Sequence, residues 1–252
     1  MTAVFAAAPA FGHKPKASAP AVALEEKLGQ VLPGDAVFLN ENGKKFDLKS
    51  LISKPALITP VFFGCSHECS FQLAGLAEVL GKIDLLRPGK DFQVITLSFD
   101  PKDGPKTAAE KKVNYLKAVG RPFPKEAWTF LTGDQANIDK FLSAVGFEVR
   151  RDGKEFSHPI SLIVVSPERK IVRYLDGVSY MPFKVLMALS EAAEGRVGTP
   201  SSSALTYCFS YDPIKKTYVL NVLRVTGALM LLSIASFAFY LRLTSKGKRE
   251  QA

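Results

Sequence analysis

Two cysteines and a distant histidine are the residues of this sequence best suited to chemistry. Cys65 and Cys69 are separated by three residues, and His158 lies far along the chain. A pair of thiols can exchange disulfides, with one attacking as a thiolate and the other resolving, or it can bind a soft metal ion. It can also form a structural disulfide. A spacing of three residues, rather than the two of a redox Cys-x-x-Cys motif, lets both sulfurs bind one ion at about 2.2–2.3 Å.

The predicted elements place the cysteines where a buried strand meets a helix. Residues 55–63 form a nearly continuous apolar run, typical of a strand that is covered on both faces. From residue 69 to residue 86 the apolar positions recur at helical spacing. A helix N-terminus stabilises a thiolate, so this junction suits reactive or metal-binding cysteines.

The rest of the soluble region alternates strands and helices. Residues 31–47 predict a hairpin around an Asn42-Gly43 turn. Further strands are predicted at 92–99, 127–131, 160–165 and 170–175, and helices at 107–119, 134–145 and 181–193. Thr107 and Glu110 predict a capping box at the start of the helix 107–119. This order predicts an α/β fold, a thioredoxin-like sandwich with an N-terminal hairpin extension.

A C-terminal membrane anchor is the second prediction. Residues 225–241 contain no charged side chain and span about 26 Å as a helix. A basic tail follows, which predicts a cytoplasmic C-terminus and an extracytoplasmic soluble domain. The first residues, with Ala8-Pro9-Ala10, are similar to the end of a signal peptide. We therefore expect a single-pass plasma (inner) membrane protein with its soluble domain in the periplasm.

These patterns divide the chain into five parts. They are a signal remnant and linker (1–30), a thioredoxin-like domain (31–194), a linker and membrane-proximal segment (195–218), a transmembrane helix (219–243) and a basic cytoplasmic tail (244–252). The net charge is +9, but the lysines are scattered and not interleaved with aromatic residues, so we expect no nucleic-acid partner.

Three further residues are candidates for a supporting role around the dithiol. Asp100 and Asp103 follow a predicted strand at the same sheet edge, where they either form a turn or act as outer-shell carboxylates. His67 stands between the cysteines, where it is expected to face solvent and could serve as an auxiliary or entry ligand.

Residues 32–189 resemble the Sco/SenC family of thioredoxin-fold copper chaperones for cytochrome c oxidase. The resemblance is carried by the Asn42-Gly43-Lys44 hairpin, by the strand leading into Cys65-x3-Cys69, by the segment 97–103 (LSFDPKD) and by His158 before an apolar strand. It implies that Cys65, Cys69 and His158 bind copper, as Cu(I) or Cu(II), with His158 as a neutral imidazole.

The chain departs from the family pattern at three positions. Ser66 and Ser70 stand where the family has prolines after the cysteines, and Pro159 follows the histidine. Cys208 lies in a Cys-x-x-Tyr-Asp-Pro segment similar to one in some bacterial members, which suggests a membrane-proximal contact.

The leading hypothesis is a membrane-anchored copper chaperone that serves the copper-bearing subunit of cytochrome c oxidase and exchanges with other copper chaperones or thiol reductants. The alternative is a thiol-disulfide oxidoreductase, with Cys65 attacking and Cys69 resolving, that reduces the cysteines of the oxidase copper site. A module with a static disulfide is the third hypothesis.

Overall fold

The structure is a computed structural model, and it describes residues 22–65, 67–153, 155–198, 209–212 and 217–220, with residues 230, 233 and 236. The strands in chain order are β1 (Val37–Asn40), β2 (Lys45–Asp47), β3 (Ala56–Val61), β4 (Gln93–Ser98), β5 (Trp128–Thr132), β6 (Arg150–Asp152), β7 (Glu155–Ser157), β8 (Ser161–Val165), β9 (Ile171–Asp176), β10 (Phe209–Asp212) and β11 (Thr217–Leu220). The helices are α1 (Leu48–Leu51), α2 (Glu68–Lys82), α3 (Pro105–Ala118), α4 (Gln135–Ala144) and α5 (Pro182–Ala193).

Seven strands form one mixed sheet in the order β2-β1-β5-β4-β3-β8-β9. The three central strands β3, β4 and β5 are parallel, whereas β8 pairs with β3, β9 with β8, and β1 with both β5 and β2 in antiparallel fashion. Parallel neighbours require crossover connections, which α2 and α3 provide. This arrangement confirms the predicted thioredoxin-like α/β sheet with an N-terminal hairpin.

The central strands are apolar because both of their faces are covered. Every residue of β3 and β8 is buried, as the continuous apolar runs predict. The largest buried side chain is Trp128 of β5, whose indole N–H donates to the Thr96 hydroxyl over 2.9 Å. A buried polar group of this kind retains a hydrogen-bond partner because leaving it unpaired is costly.

Local signals place the β1–β2 hairpin and α4 correctly. Gly43 has a φ of +75°, which a glycine adopts without strain, and the side chain of Asn40 accepts hydrogen bonds from the turn backbone. Asp134 caps α4 by accepting from the backbone N–H of Asn137 over 2.9 Å.

The predicted capping box at Thr107 is wrong. The helix α3 begins at Pro105 with Gly104 as its N-cap, so Thr107 lies inside the first turn. Proline fits the first helical position because its missing N–H would have no intrahelical partner there. The helix α2 also ends earlier than predicted, at Lys82, and its apolar residue Phe71 is exposed.

The domain boundaries differ from the sequence prediction at both ends. Residues predicted as linker before residue 31 bond to the domain, since Glu25 N–H donates to Gly146 O and Gly29 N–H to Ile171 O. At the other end, residues 219 and 220 belong to β11, which pairs with β10, rather than to a helix.

The remaining terminal predictions fall outside the described residues. These are the signal remnant before residue 22, Cys208, the basic tail and most of the predicted transmembrane segment. Among the residues that the structure does describe, none of the helices has the length and apolar character needed to cross a membrane.

Candidate functional site

Both cysteines are buried at the end of the central strand β3. Cys65 lies in the turn after β3, where its N–H donates to Phe62 O over 3.3 Å, and Cys69 lies in the first turn of α2. Their exposed fractions are 5% and 2%, and both are free thiols rather than a disulfide. The predicted strand–helix junction is therefore confirmed as the position of the dithiol.

His158 lies at the same end of the sheet as the cysteines, although it belongs to a later part of the chain. It follows β7 and precedes β8. Because β8 is antiparallel to β3, with Ile58 opposite Ile163, the start of β8 lies beside the end of β3. As a result, Nε2 of His158 lies 3.2 Å from Sγ of Cys69.

The hydrogen bonds of His158 define which ring nitrogen carries the proton. Nδ1 lies 2.8 Å from the carbonyl oxygen of Pro159, which can only accept, so Nδ1 is the protonated nitrogen. Nε2 of the neutral ring then presents its lone pair to Cys69. A lone pair in this position can accept from the S–H group, or it can bind a metal ion once the thiol loses its proton.

Burial favours the neutral forms of both groups. Burial raises the pKa of the Cys69 thiol well above its usual range. A hydrogen bond with the Phe62 backbone lowers this pKa in part, and the nearby Cys65 thiol raises it further. Burial also lowers the pKa of His158, which the hydrogen bond to Pro159 and the charge of Glu68 oppose. In the metal-free chain both shifts favour a thiol and an imidazole over a thiolate and an imidazolium.

Aromatic side chains surround the imidazole. The ring of His158 lies 5.1 Å from that of Phe99 and 6.3 Å from that of Phe62, measured between centroids. Phe156 of β7 completes the cluster at 4.9 Å from Phe62 and 5.4 Å from Phe99. This apolar wall explains the desolvation of His158 and limits the directions in which its ring can turn.

The β6–β7 hairpin, which sequence reasoning missed, leads directly into the histidine and is tied to the rest of the domain by Arg151. Arg151 of β6 lies over the ring of Phe156 at 4.2 Å and forms an ion pair with Asp100 over 2.8 Å. Asp100, predicted as an outer-shell candidate, therefore contacts the hairpin that presents His158.

Asp103, the second carboxylate candidate, ties the ends of two strands together. Its Oδ2 accepts from the backbone N–H of Phe63 over 2.8 Å and from the hydroxyl of Ser98 over 2.5 Å. These bonds fix the segment between β3 and the cysteines, so Asp103 supports the dithiol through the backbone.

Two hydroxyl groups that sequence reasoning did not assign lie near the dithiol. The Ser70 hydroxyl donates to the carbonyl oxygen of Cys65 over 2.9 Å. Tyr115 of α3 lies close enough to Ser70 and to both thiols for them to influence the pKa of its phenol, which burial raises. Ser70 thus supports the turn that contains Cys65, at a position where the family that the sequence resembles has proline.

The described residues contain no ready-made three-ligand metal site. No three His, Cys, Asp or Glu side chains in this part of the chain converge closely enough to hold an ion. The geometry brings Cys69 and His158 into contact and places Cys65 near Cys69, so binding one ion through all three requires a local side-chain adjustment. His67 is exposed at the N-terminus of α2, as expected.

Comparison with known proteins gives a consistent family. The family model described as SCO1/SenC matches residues 26–194. The SCO1 protein homolog of Bacillus subtilis (strain 168) is 28% identical over 151 residues, which are 58% of this chain and 74% of that protein.

Solved structures extend the comparison to the fold. A protein from Aquifex aeolicus VF5, provisionally assigned to electron transfer, is 32% identical with a TM-score of 0.61 and covers 68% of this chain and 96% of its own. BsSco, a member of the Sco family of cytochrome c oxidase assembly proteins with a disulfide switch, is 25% identical with a TM-score of 0.55 over 68% and 98% of the two chains. The copper-bound ScoI of Arabidopsis thaliana, 21% identical with a TM-score of 0.52 over 65% and 99%, is similar in fold.

Proposed function

The chain belongs to the SCO1/SenC family, and from that premise we propose that it binds one copper ion through Cys65, Cys69 and His158 and delivers it to the copper-bearing subunit of cytochrome c oxidase. Thiolates select soft ions such as Cu(I), and imidazole suits both oxidation states of copper. The observation that carries the proposal is the 3.2 Å contact between Cys69 Sγ and His158 Nε2, with the Nε2 lone pair directed at the sulfur.

Copper binding by these residues exchanges protons for the metal. Each thiol must lose its proton to become a ligand, so binding releases protons and strengthens as the pH rises. The neutral imidazole, in contrast, already has a free lone pair and needs no deprotonation. Delivery would proceed by ligand exchange, in which thiols of the receiving subunit replace Cys65, Cys69 and His158 in turn.

A membrane location is part of the proposal. The apolar residues 225–241 and the basic residues after them would anchor the chain in the plasma membrane with the copper-binding domain on the extracytoplasmic side. Reporter fusions to the C-terminus test this topology: a reporter that works only in the cytoplasm is expected to be active, and an inactive one would contradict the orientation.

Thiol-disulfide exchange is the second candidate. It is favoured by the presence of two free, adjacent thiols and by the disulfide switch described for BsSco. In this reaction Cys65 attacks a disulfide of the partner, Cys69 displaces the partner from the mixed disulfide, and the partner leaves as a dithiol while Cys65 and Cys69 become oxidised. The raised pKa of the Cys69 thiol fits the resolving role rather than the attacking role.

One experiment separates the two candidates. The purified chain is mixed with the soluble domain of an oxidase copper-bearing subunit, the partner, in two ways. In the first mixture the chain is copper-loaded and the partner is reduced. In the second mixture the chain is metal-free and reduced, and the partner is oxidised. The chaperone function predicts copper transfer in the first mixture, which His158→Ala reduces. Rapid disulfide exchange in the second mixture, unaffected by His158→Ala and without copper transfer in the first, would overturn it in favour of the oxidoreductase.

A further inference from the structure

Gln72 is a fully buried polar residue one helical turn beyond Cys69. It lies in α2 with no exposed surface, three residues after Cys69, so both side chains project from the same face of the helix. Its Nε2 donates to the backbone carbonyl oxygen of Ser161 over 3.1 Å. Ser161 is the first residue of β8 and follows His158 by three positions.

The same two segments of chain are therefore joined twice. One contact is Cys69 to His158, and the other, one turn deeper, is Gln72 to Ser161; the paired residues are 89 positions apart in each case. A hydrogen bond next to the thiol–imidazole contact restricts movement of the start of β8, and of His158 before it, relative to α2.

The Gln72 amide lies beside a second buried polar group, the hydroxyl of Tyr180. Burial raises the pKa of Tyr180, and a hydrogen bond with the Gln72 side chain opposes this rise. Burying an amide in a core costs free energy of desolvation that an apolar side chain of the same length would avoid. The amide is thus better explained by the position that its Nε2 enforces than by its contribution to core packing.

We propose that Gln72 is a positioning residue that holds Cys69 of the dithiol against His158 through its hydrogen bond to the Ser161 backbone. The consequence for copper rests on the copper site proposed above, whereas the positioning itself is a property of the metal-free protein. The position of α2 as a whole has separate support, because Gly75 packs so closely on the loop after β9 that a Cβ atom there would lie 1.8 Å from Val178 O. Removal of the Gln72 amide therefore loosens the thiol–imidazole contact while the helix stays in place.

The test measures alkylation of Cys69 in the reduced, metal-free chain by mass spectrometry. Gln72→Met keeps the length of the side chain and removes the donor, and it is expected to raise the alkylation rate of Cys69 by about threefold or more because the contact opens more often. His158→Ala alone also raises this rate. If Gln72 acts through the histidine, the two substitutions together produce less than the product of their separate effects.

Two variants serve as matched controls. Gln93→Met removes the same type of bond, from Gln93 Nε2 to Leu51 O over 3.0 Å, at the start of β4, the far end from the dithiol. Tyr180→Phe removes the hydrogen bond between the Tyr180 hydroxyl and the Gln72 side chain but keeps the Gln72 donation to Ser161, so it separates the two bonds of the amide. Neither variant is expected to change the alkylation rate of Cys69.

A second measurement does not depend on the folding of Gln72→Met. Because coupling between two contacts is reciprocal, His158→Ala is expected to speed hydrogen exchange at the Gln72 side-chain amide, measured by NMR. An unchanged exchange rate, or fully multiplicative alkylation effects, would overturn the positioning role.

Copper titration separates this inference from the proposed function. If the wild-type chain binds copper, Gln72→Met is expected to weaken binding about tenfold, as outer-shell substitutions do, and an unchanged affinity would overturn the inference. If the wild-type chain binds no copper, the proposed function fails, while non-multiplicative alkylation still supports the positioning role.

Discussion

The two thiols and the imidazole are held by regions of very different construction. The cysteines follow a fully buried central strand, and Cys69 lies in a crossover helix of the main sheet. The histidine follows a separate hairpin of two three-residue strands, fixed by Arg151, Asp100 and one aromatic cluster. A hairpin of this size has little stability of its own.

This difference suggests a division of labour at the site. The dithiol is held by the core, so its geometry changes only if the fold changes. The imidazole is held by a few contacts near the surface and can leave at a smaller free-energy cost. A protein that must both bind copper and release it benefits from one firm and one labile attachment, and the following predictions test that asymmetry.

Removal of a core-held ligand is expected to have the largest effect. Cys69→Ser leaves the hairpin intact but removes a thiolate. Structural zinc sites with four ligands bind with about 10–16 kcal/mol, or about 3 kcal/mol per ligand, and we expect a loss of similar size for copper. Copper affinity should fall more than about a hundredfold, as measured by competition with a Cu(I) chelator. Affinity within a few-fold of the wild type would show that the thiol is not a ligand.

Release of the hairpin is expected to have a smaller effect on copper. Arg151→Ala removes both the ion pair with Asp100 and the contact with Phe156, and affinity should fall about tenfold, as with other outer-shell changes. Lys82→Ala breaks an exposed ion pair with Glu78 on α2 (2.7 Å) and is the matched control, with no expected change. Equal affinities of the two variants would mean that the hairpin does not position the histidine.

The protonation of His158 provides a pH-dependent test of the labile side. The pKa of His158 is lowered in the folded state. The neutral ring therefore contributes stability that is fully present above the unfolded-state pKa of about 6.5 and is lost as the pH falls below that value. The free energy of unfolding falls by at most about 1.4 kcal/mol per pH unit. Urea unfolding of the metal-free chain at pH 7.5 and pH 5.5 (about one unit on either side of that value) should show a larger loss for the wild type than for His158→Ala. Identical losses would contradict a buried neutral imidazole.

The smallest effect on copper affinity is expected from the Ser70 hydrogen bond, which supports the core-held dithiol. Ser70→Ala removes the hydrogen bond to the Cys65 carbonyl and should lower the free energy of unfolding by about 1 kcal/mol. Because Asp103 and the sheet still hold this segment, copper affinity is expected to stay close to that of the wild type. If Ser70→Ala lowers copper affinity more than Arg151→Ala does, the dithiol is the labile attachment and the histidine the firm one, contrary to our assignment.

The sequence predicts the core-held side well. Continuous apolar runs identify the buried strands, and the change to helical spacing after Cys69 places the dithiol at the strand–helix junction. These signals depend on local periodicity, which a single sequence displays directly. The end of the predicted strand also places Asp100 and Asp103 at the sheet edge that holds the dithiol. Their hydrogen-bond and ion-pair partners could not be predicted from the sequence.

The hairpin side is poorly predicted for physical reasons. Its strands have three residues each, too short for a periodic pattern, and their packing depends on Phe62 and Phe99 from distant parts of the chain. The Asp152-Gly153 pair is a hairpin signal that could have revealed it. The contact of Gln72 joins residues 89 positions apart and leaves no mark in the local sequence, whereas Ser70 bonds to Cys65 only five positions away.

The most direct test of the central claim is X-ray absorption of the copper-loaded, reduced chain compared with His158→Ala. A site formed by Cys65, Cys69 and His158 predicts one copper with two sulfur neighbours at about 2.3 Å and one nitrogen neighbour at about 2.0 Å, and the nitrogen signal disappears in His158→Ala. An identical spectrum for both proteins, with the imidazole signal absent or unchanged, would contradict the claim that the hairpin-borne histidine completes the copper site.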